Sequence, residues 1–180
     1  MDWLRPWNGK QNRGRRLMAP GWSAAVIALL GIVPVHAGPA LLFDPGTGVV
    51  LYAEDVDDAW HPASLTKVMT AYLAFEALKA GKITLDTKFK MSELAFEQPP
   101  SKIGLPVGAE MDVNTALQAL IIKSANDIAM LLAEGIAGSQ DDFVEKMNAT
   151  ARRLGMTRTT FVNPNGLPAD TQVTLSLIHI

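Results

Sequence analysis

The sequence predicts a mixed α/β domain in which an antiparallel sheet and a helical subdomain surround a buried central helix. Three observations predict it. Two short strand-like runs lie close together after residue 40, with a turn between them. A long helical stretch beginning at Ser64 is apolar on nearly every side. Three further helical stretches, each with recognisable end signals, follow between residues 114 and 154. Strands followed by a run of helices is a pattern of mixed domains.

Taken in order, Ala40–Phe43 and residues 49–54 are the strand-like runs, and Asp44-Pro45-Gly46-Thr47-Gly48 between them has turn composition. They read as an antiparallel hairpin. Pro62-Ala63 then introduces a helix over residues 64–80, closed by Gly81. Leu65, Val68, Met69, Ala71, Tyr72, Leu73, Phe75 and Leu78 cover most of its circumference, the pattern of a helix inside a domain. Thr66, Lys67 and Thr70 near its start therefore need polar partners. Residues 86–108 read as irregular, with Pro99, Pro100, Gly104, Pro106 and Gly108. Helices are expected over residues 114–122 and 127–136, the second ended by Gly138. Ser139 caps another helix to Leu154, with Asp142 in the capping-box position and Gly155 as its stop. Residues 160–162 are a short strand candidate, and Asn163-Pro164-Asn165-Gly166 a loop. Two or three short strands cannot cover a central helix, so the sheet is expected to be incomplete in these 180 residues.

Composition narrows the function. Hydrophobic residues make up 48% of the chain, ordinary for a globular protein. Residues 1–37 hold five Lys/Arg against Asp2, whereas the remainder holds 11 Lys/Arg against 17 Asp/Glu. A mildly acidic body speaks against a nucleic-acid binder. No cysteine is present, which excludes disulfides, thiolate chemistry and Cys-based zinc sites. His36, His61 and His179 are far apart and form no local metal motif. At the front, Arg13, Arg15 and Arg16 precede an apolar run from Trp22 to Val35, and Val35-His36-Ala37 offers small residues where a signal peptidase reads. The run is shorter than the roughly 20 residues of a membrane span and contains Gly31 and Pro34. Residues 1–37 are therefore expected to be a cleaved secretory signal, and the mature protein to be exported, to the periplasm or the outer face of the cytoplasmic membrane.

Ser64-Leu65-Thr66-Lys67 is a Ser-x-x-Lys motif. Residues three apart share a helix face, with Cβ atoms about 5–6 Å apart, so hydroxyl and amine come within mutual reach. A helix start favours developing negative charge. The same positive end, together with burial, lowers a lysine pKa towards the range of a useful base, which a weakly nucleophilic serine needs. Alone, the motif is equally the signature of a capping serine and a surface lysine. Its setting on so apolar a helix favours the chemical reading. Ser124-Ala125-Asn126, at a helix junction, is by itself consistent with simple capping.

Together, these pieces are specific. Pro62-Ala63-Ser64-Leu65-Thr66-Lys67-Val68-Met69-Thr70, Ser124-Ala125-Asn126-Asp127-Ile128-Ala129 and Phe161-Val162-Asn163-Pro164-Asn165-Gly166-Leu167 resemble the D-alanyl-D-alanine carboxypeptidases, the low-molecular-mass penicillin-binding proteins of peptidase family S11. The stretches from Ala133 to Ser139 and from Met147 to Met156 look like that family too, and the resemblance covers about residues 40–174. It implies a β-lactamase/transpeptidase-like fold, of which residues 38–174 would be the N-terminal part. It implies that Ser64 attacks the carbonyl between the terminal D-alanines of a peptidoglycan stem peptide, and that Lys67 takes the proton. Ser124 would relay a proton to the leaving amine, and Asn126 would hold the substrate amide or Lys67. β-Lactam antibiotics would acylate Ser64. No metal or organic cofactor is implied.

The sequence also departs from the family. A Lys-Thr-Gly motif or a relative, expected on a strand beside the site, does not occur after Ser124. Residues 175–180 do not continue the family pattern, and their codons can be spelled as a transposase adapter used in sequencing libraries. They are expected to be a non-native tail on a truncated gene, with the third motif, any C-terminal domain and a membrane-anchoring helix beyond it. The 180-residue chain alone is expected to fold poorly and show little activity. Three rival functions stay open: a D,D-endopeptidase of the same family, a class A β-lactamase, and an inactive exported peptidoglycan-binding protein. The β-lactamase reading lacks its deacylating glutamate, since no Glu follows Glu145. The inactive reading sits poorly with intact Ser64 and Lys67.

Overall fold

The computed structural model describes residues 38–175. The predicted signal over residues 1–37 and all of the expected tail except Leu175 lie outside the described residues. The architecture is mixed α/β, with two small antiparallel sheets and a group of helices. Strands β1 (Ala40–Phe43) and β2 (Val50–Glu54) pair antiparallel, Ala40 opposite Glu54, with a bulge between Leu42 and Phe43. Asp44 builds their turn by accepting the Gly46 N–H at 2.7 Å.

The central helix starts later than its periodicity suggests. Ala63–Leu65 is a 3₁₀ turn, and α1 runs over Thr66–Lys79. The 3₁₀ turn places Ser64 just ahead of the regular helix, and Ala63 before it has a left-handed φ of 46°, a conformation a residue with a Cβ adopts only under constraint. α1 is covered on one side, and its other side is left bare, as the expected incomplete sheet implies. One side packs against α3, α4 and α5, burying Met69, Ala71, Leu73, Ala74 and Ala77, while Val68 and Phe75 on the other side are more than half exposed.

The stretch expected to be irregular, residues 86–108, holds two elements, and a third follows it directly. β3 (Lys88–Lys90) pairs antiparallel with β4 (Glu110–Asp112), and α2 (Glu93–Phe96) lies between them, capped by Ser92. α3 covers Val113–Ile122, started by Asp112, whose carboxylate accepts the Thr115 N–H at 2.8 Å. α4 covers Asn126–Ala137 and ends at Gly138, whose φ of 92° is open to glycine without strain. α5 covers Gln140–Arg153, capped by Ser139 as the capping pattern predicts. The strand candidate at residues 160–162 is reduced to one bridge, Thr160 to Val173, and Trp60 bridges Thr174. Residues 172–174 thus strap the approach to Ser64 to the loop region beyond α5.

Two apolar clusters hold these elements. Ala71, Ala74 and Ala77 face α3 and α4 residues such as Leu120, Ile128 and Leu131. Met69 and Leu73 face Ala133, Phe143, Met147, Ala151 and Phe161. A fully buried side chain such as Phe143 contributes about 1.5–3 kcal/mol.

Candidate active site

Lys67 lies on the first turn of α1 with only 6% of its surface exposed. Its amine donates to the Asn165 carbonyl at 2.6 Å, a contact spanning 98 positions of sequence. One turn on, Thr70 Oγ1 donates to the Pro164 carbonyl at 2.6 Å. The loop that resembled the family is therefore the polar partner that the buried start of α1 required. Burial holds the Lys67 ammonium below the ordinary lysine value. Thr66 Oγ1, beside it, is buried without a hydrogen-bond partner among the described residues.

Ser64 is exposed on the 3₁₀ turn before Lys67. Among the described residues no hydrogen bond joins Ser64 to Lys67; the amine is turned to Asn165 instead. Both residues nevertheless line one cavity of about 700 Å³, together with Ser124. Apolar residues including Leu65, Val68, Tyr72, Phe75 and Ile121 form much of the rest of its wall. Ser124 occupies the junction of α3 and α4 with a left-handed φ of 56°. A constrained serine facing a cavity opposite a second serine and a buried amine is an arrangement suited to acyl transfer.

Asn126 is not on that wall. Its side-chain N–H donates to the Pro99 carbonyl at 2.9 Å, and its backbone N–H to the Ser101 carbonyl at 2.7 Å. Asp127, fully buried, continues the same clamp. Its carboxylate accepts the N–H groups of Ile103 (3.0 and 3.1 Å), Gly104 (2.8 Å) and Ile128 (2.9 Å). Residues 99–104 are thus fastened to the start of α4, directly after Ser124. Sequence reasoning gave Asp127 no role beyond helix α4. An acid at the first turn of a helix as apolar as 128–133 was the available signal.

Gly166 brings the Asn165 loop against the Ser64 turn. A Cβ built there would lie 1.8 Å from the Ala63 carbonyl oxygen, and its φ is 82°. Only glycine fits both constraints. Asn165 itself, 2% exposed, also donates from Nδ2 to Gln98 Oε1 at 2.8 Å. Sequence reasoning missed Asn165 as the acceptor for Lys67, because a backbone carbonyl has no residue-type signature.

The D-alanyl-D-alanine carboxypeptidase family, peptidase S11, matches residues 28–176. The D-alanyl-D-alanine carboxypeptidase DacF of Bacillus subtilis is 44% identical over 132 residues, covering 73% of this chain and 34% of its own length. The crystal structure of the D-alanyl-D-alanine carboxypeptidase DacD from Francisella tularensis superposes with a TM-score of 0.76 at 35% identity, over 81% of this chain and 35% of that one. Penicillin-Binding Protein D2 from Listeria monocytogenes, in a cefotaxime-bound form, superposes with a TM-score of 0.67 at 31% identity, over 79% of this chain and 58% of that one. The chain spans about a third of the length of the curated relatives it matches.

Proposed function

This chain belongs to the D-alanyl-D-alanine carboxypeptidase family, peptidase S11, and on that premise we propose that its parent protein is a serine-type D-Ala-D-Ala carboxypeptidase. It removes the terminal D-alanine from peptidoglycan stem peptides during cell-wall synthesis and remodelling. The observation that carries the reading is the meeting of Ser64, Lys67 and Ser124 on one cavity, with Lys67 buried.

The chemistry runs through these side chains. Ser64 Oγ attacks the carbonyl carbon between the two D-alanines, while neutral Lys67 accepts the hydroxyl proton. Collapse of the tetrahedral species breaks the peptide bond, and Ser124 relays a proton to the departing D-alanine amine. Water then hydrolyses the ester on Ser64. Asn126 serves the second motif, holding the substrate amide or Lys67, or acting through the Pro99 loop it clamps. A β-lactam, whose strained amide mimics D-Ala-D-Ala, acylates Ser64 by the same first step. The protein acts outside the cytoplasm, with residues 1–37 as its removed signal. N-terminal sequencing of the exported protein is expected to begin at Gly38; a start at Met1 or Asp2 contradicts the cleavage.

Incubation of the full-length protein with a stem pentapeptide and with cross-linked peptidoglycan tests the reading. The expected result is release of one D-alanine per stem and slow-turnover capture of a penicillin. Cleavage of cross-links with little D-alanine release would make it the endopeptidase of the same family. Rapid hydrolysis of the penicillin would make it a β-lactamase. Peptidoglycan binding without either reaction would make it an inactive binding protein.

A further inference from the structure

One buried amide near the site has no part in the steps above. Gln172 is 2% exposed, and both ends of its side-chain amide are engaged. Oε1 accepts the backbone N–H groups of Val162 at 3.0 Å and Asn163 at 3.1 Å. Nε2 donates to Asn163 Oδ1 at 3.3 Å and to the Leu167 carbonyl at 3.2 Å. Asn163 closes the circuit, donating to Leu167 O at 3.0 Å and accepting the Gly166 N–H at 2.7 Å. Residues 162–167 are thereby tied into a loop around one amide. Within that loop lie the Pro164 and Asn165 carbonyls that receive Thr70 and Lys67.

The backbone of Gln172 points the other way. Its carbonyl can only accept, so His61 donates to it from Nδ1 at 2.9 Å. The next two residues pair with Thr160 and Trp60. A single residue therefore connects the chain entering the Ser64 turn with the loop that supplies the acceptor of Lys67. A lysine stem is long and flexible, so the place of its amine depends on what that amine is bonded to.

We infer that Gln172 is a positioning residue for Lys67, its side-chain amide setting the 162–167 loop so that the Asn165 carbonyl meets the amine, and its backbone carbonyl holding His61 at the entry to the Ser64 turn. This rests on the proposal that Lys67 is the base for Ser64. A glutamine suits the position because it offers acceptor lone pairs at one atom and two donors at the next. Methionine has similar length and offers neither. Asparagine offers both but falls a methylene short of spanning Val162 and Leu167. In this network the titratable side chain besides Lys67 is His61, and the lowered value of Lys67 has burial as its cause.

The test is the second-order rate of acylation by a fluorescent penicillin, measured across pH on the full-length protein for wild type, Q172M and Q172N, with thermal unfolding alongside. Q172M is expected to lower the rate at neutral pH about tenfold, since small misplacements of a reacting group are costly. Its acid limb is expected to move to lower pH, because an ammonium that loses a carbonyl acceptor loses support for its charged form. Q172N should show a smaller loss and a shift in the same direction. An acid limb that stays in place, with a rate loss no larger than the loss of folded protein, overturns the inference. If Q172M does not fold, Q172N decides by the same criterion. A wild-type protein that takes no penicillin at all is a different outcome, because it removes the Ser64–Lys67 reading itself.

Discussion

Lys67 concentrates the functional argument at the scale of single residues. Its amine must be neutral to take a proton, and burial makes that state accessible below the ordinary lysine range. Acylation should therefore rise with pH to a plateau reached below that range, and the limb should belong to Lys67. Lys67→Arg, which stays protonated, should lower the acylation rate by about 10²–10⁴ and remove the limb, as a stopped-flow pH series would show. Thr66 gives a prediction of opposite sign. Among the described residues its buried hydroxyl lacks a partner, so Thr66→Val should leave the denaturant midpoint unchanged or raise stability by up to about 1 kcal/mol. A clear drop would mean the hydroxyl is engaged. Ser64 and Lys67 stood out in the sequence because helix geometry turns a spacing of three into a shared face and because a polar pair is unusual on an apolar helix; Ser124, which alone reads as a helix cap, entered only through the family resemblance. The Asn165 carbonyl and the Gln172 amide were not, since their roles depend on a loop folding back across the chain.

Elements rather than residues explain how the site is held. Asn126 and Asp127 begin α4 and fasten residues 99–104 beside Ser124. Asp127→Asn presents a donor to backbone N–H groups that need an acceptor. It should destabilise the fold by about 2–3 kcal/mol in urea titrations and expose the 99–104 loop to proteolysis. Gly166→Ala should be worse for function than for folding. The added methyl meets the Ala63 carbonyl, so relief must come from the turn that carries Ser64. Penicillin labelling should fall by at least about 10²-fold while the protein still unfolds cooperatively. The long elements could be read in advance, since α5 carries a cap at Ser139 and a stop at Gly155, α4 ends at Gly138, and all three keep a helical run long enough to recognise. β3 and β4 could not: three residues show too little alternation to separate a strand from a loop, and the prolines and glycines around them imitate one. The start of α1 was placed two residues early because an apolar pattern does not separate a 3₁₀ turn over Ala63–Leu65 from the first turn of an α-helix.

At the scale of the molecule, the central helix has two unlike sides. One is sealed by α3, α4 and α5. The other presents Leu65, Val68 and Phe75 beside Ile121 and Ile122 of α3, all more than half exposed. The residues of β2 are exposed as well, Leu51 and Tyr52 among them. The apolar pattern of α1 was legible in the sequence, but pattern alone could not say what covers each face. Contiguous apolar surface of this kind drives association. The 180-residue chain on its own should bind a hydrophobic dye and self-associate in sedimentation runs, and should label poorly with penicillin; a monodisperse, dye-silent, readily labelled chain would contradict this. The measurement that bears most directly on the whole account is peptide mapping by mass spectrometry of the full-length protein after brief exposure to a penicillin. The account predicts one covalent adduct, on Ser64, absent in Ser64→Ala and strongly slowed in Lys67→Arg. An adduct on another residue, or labelling that survives the loss of Ser64, would contradict it.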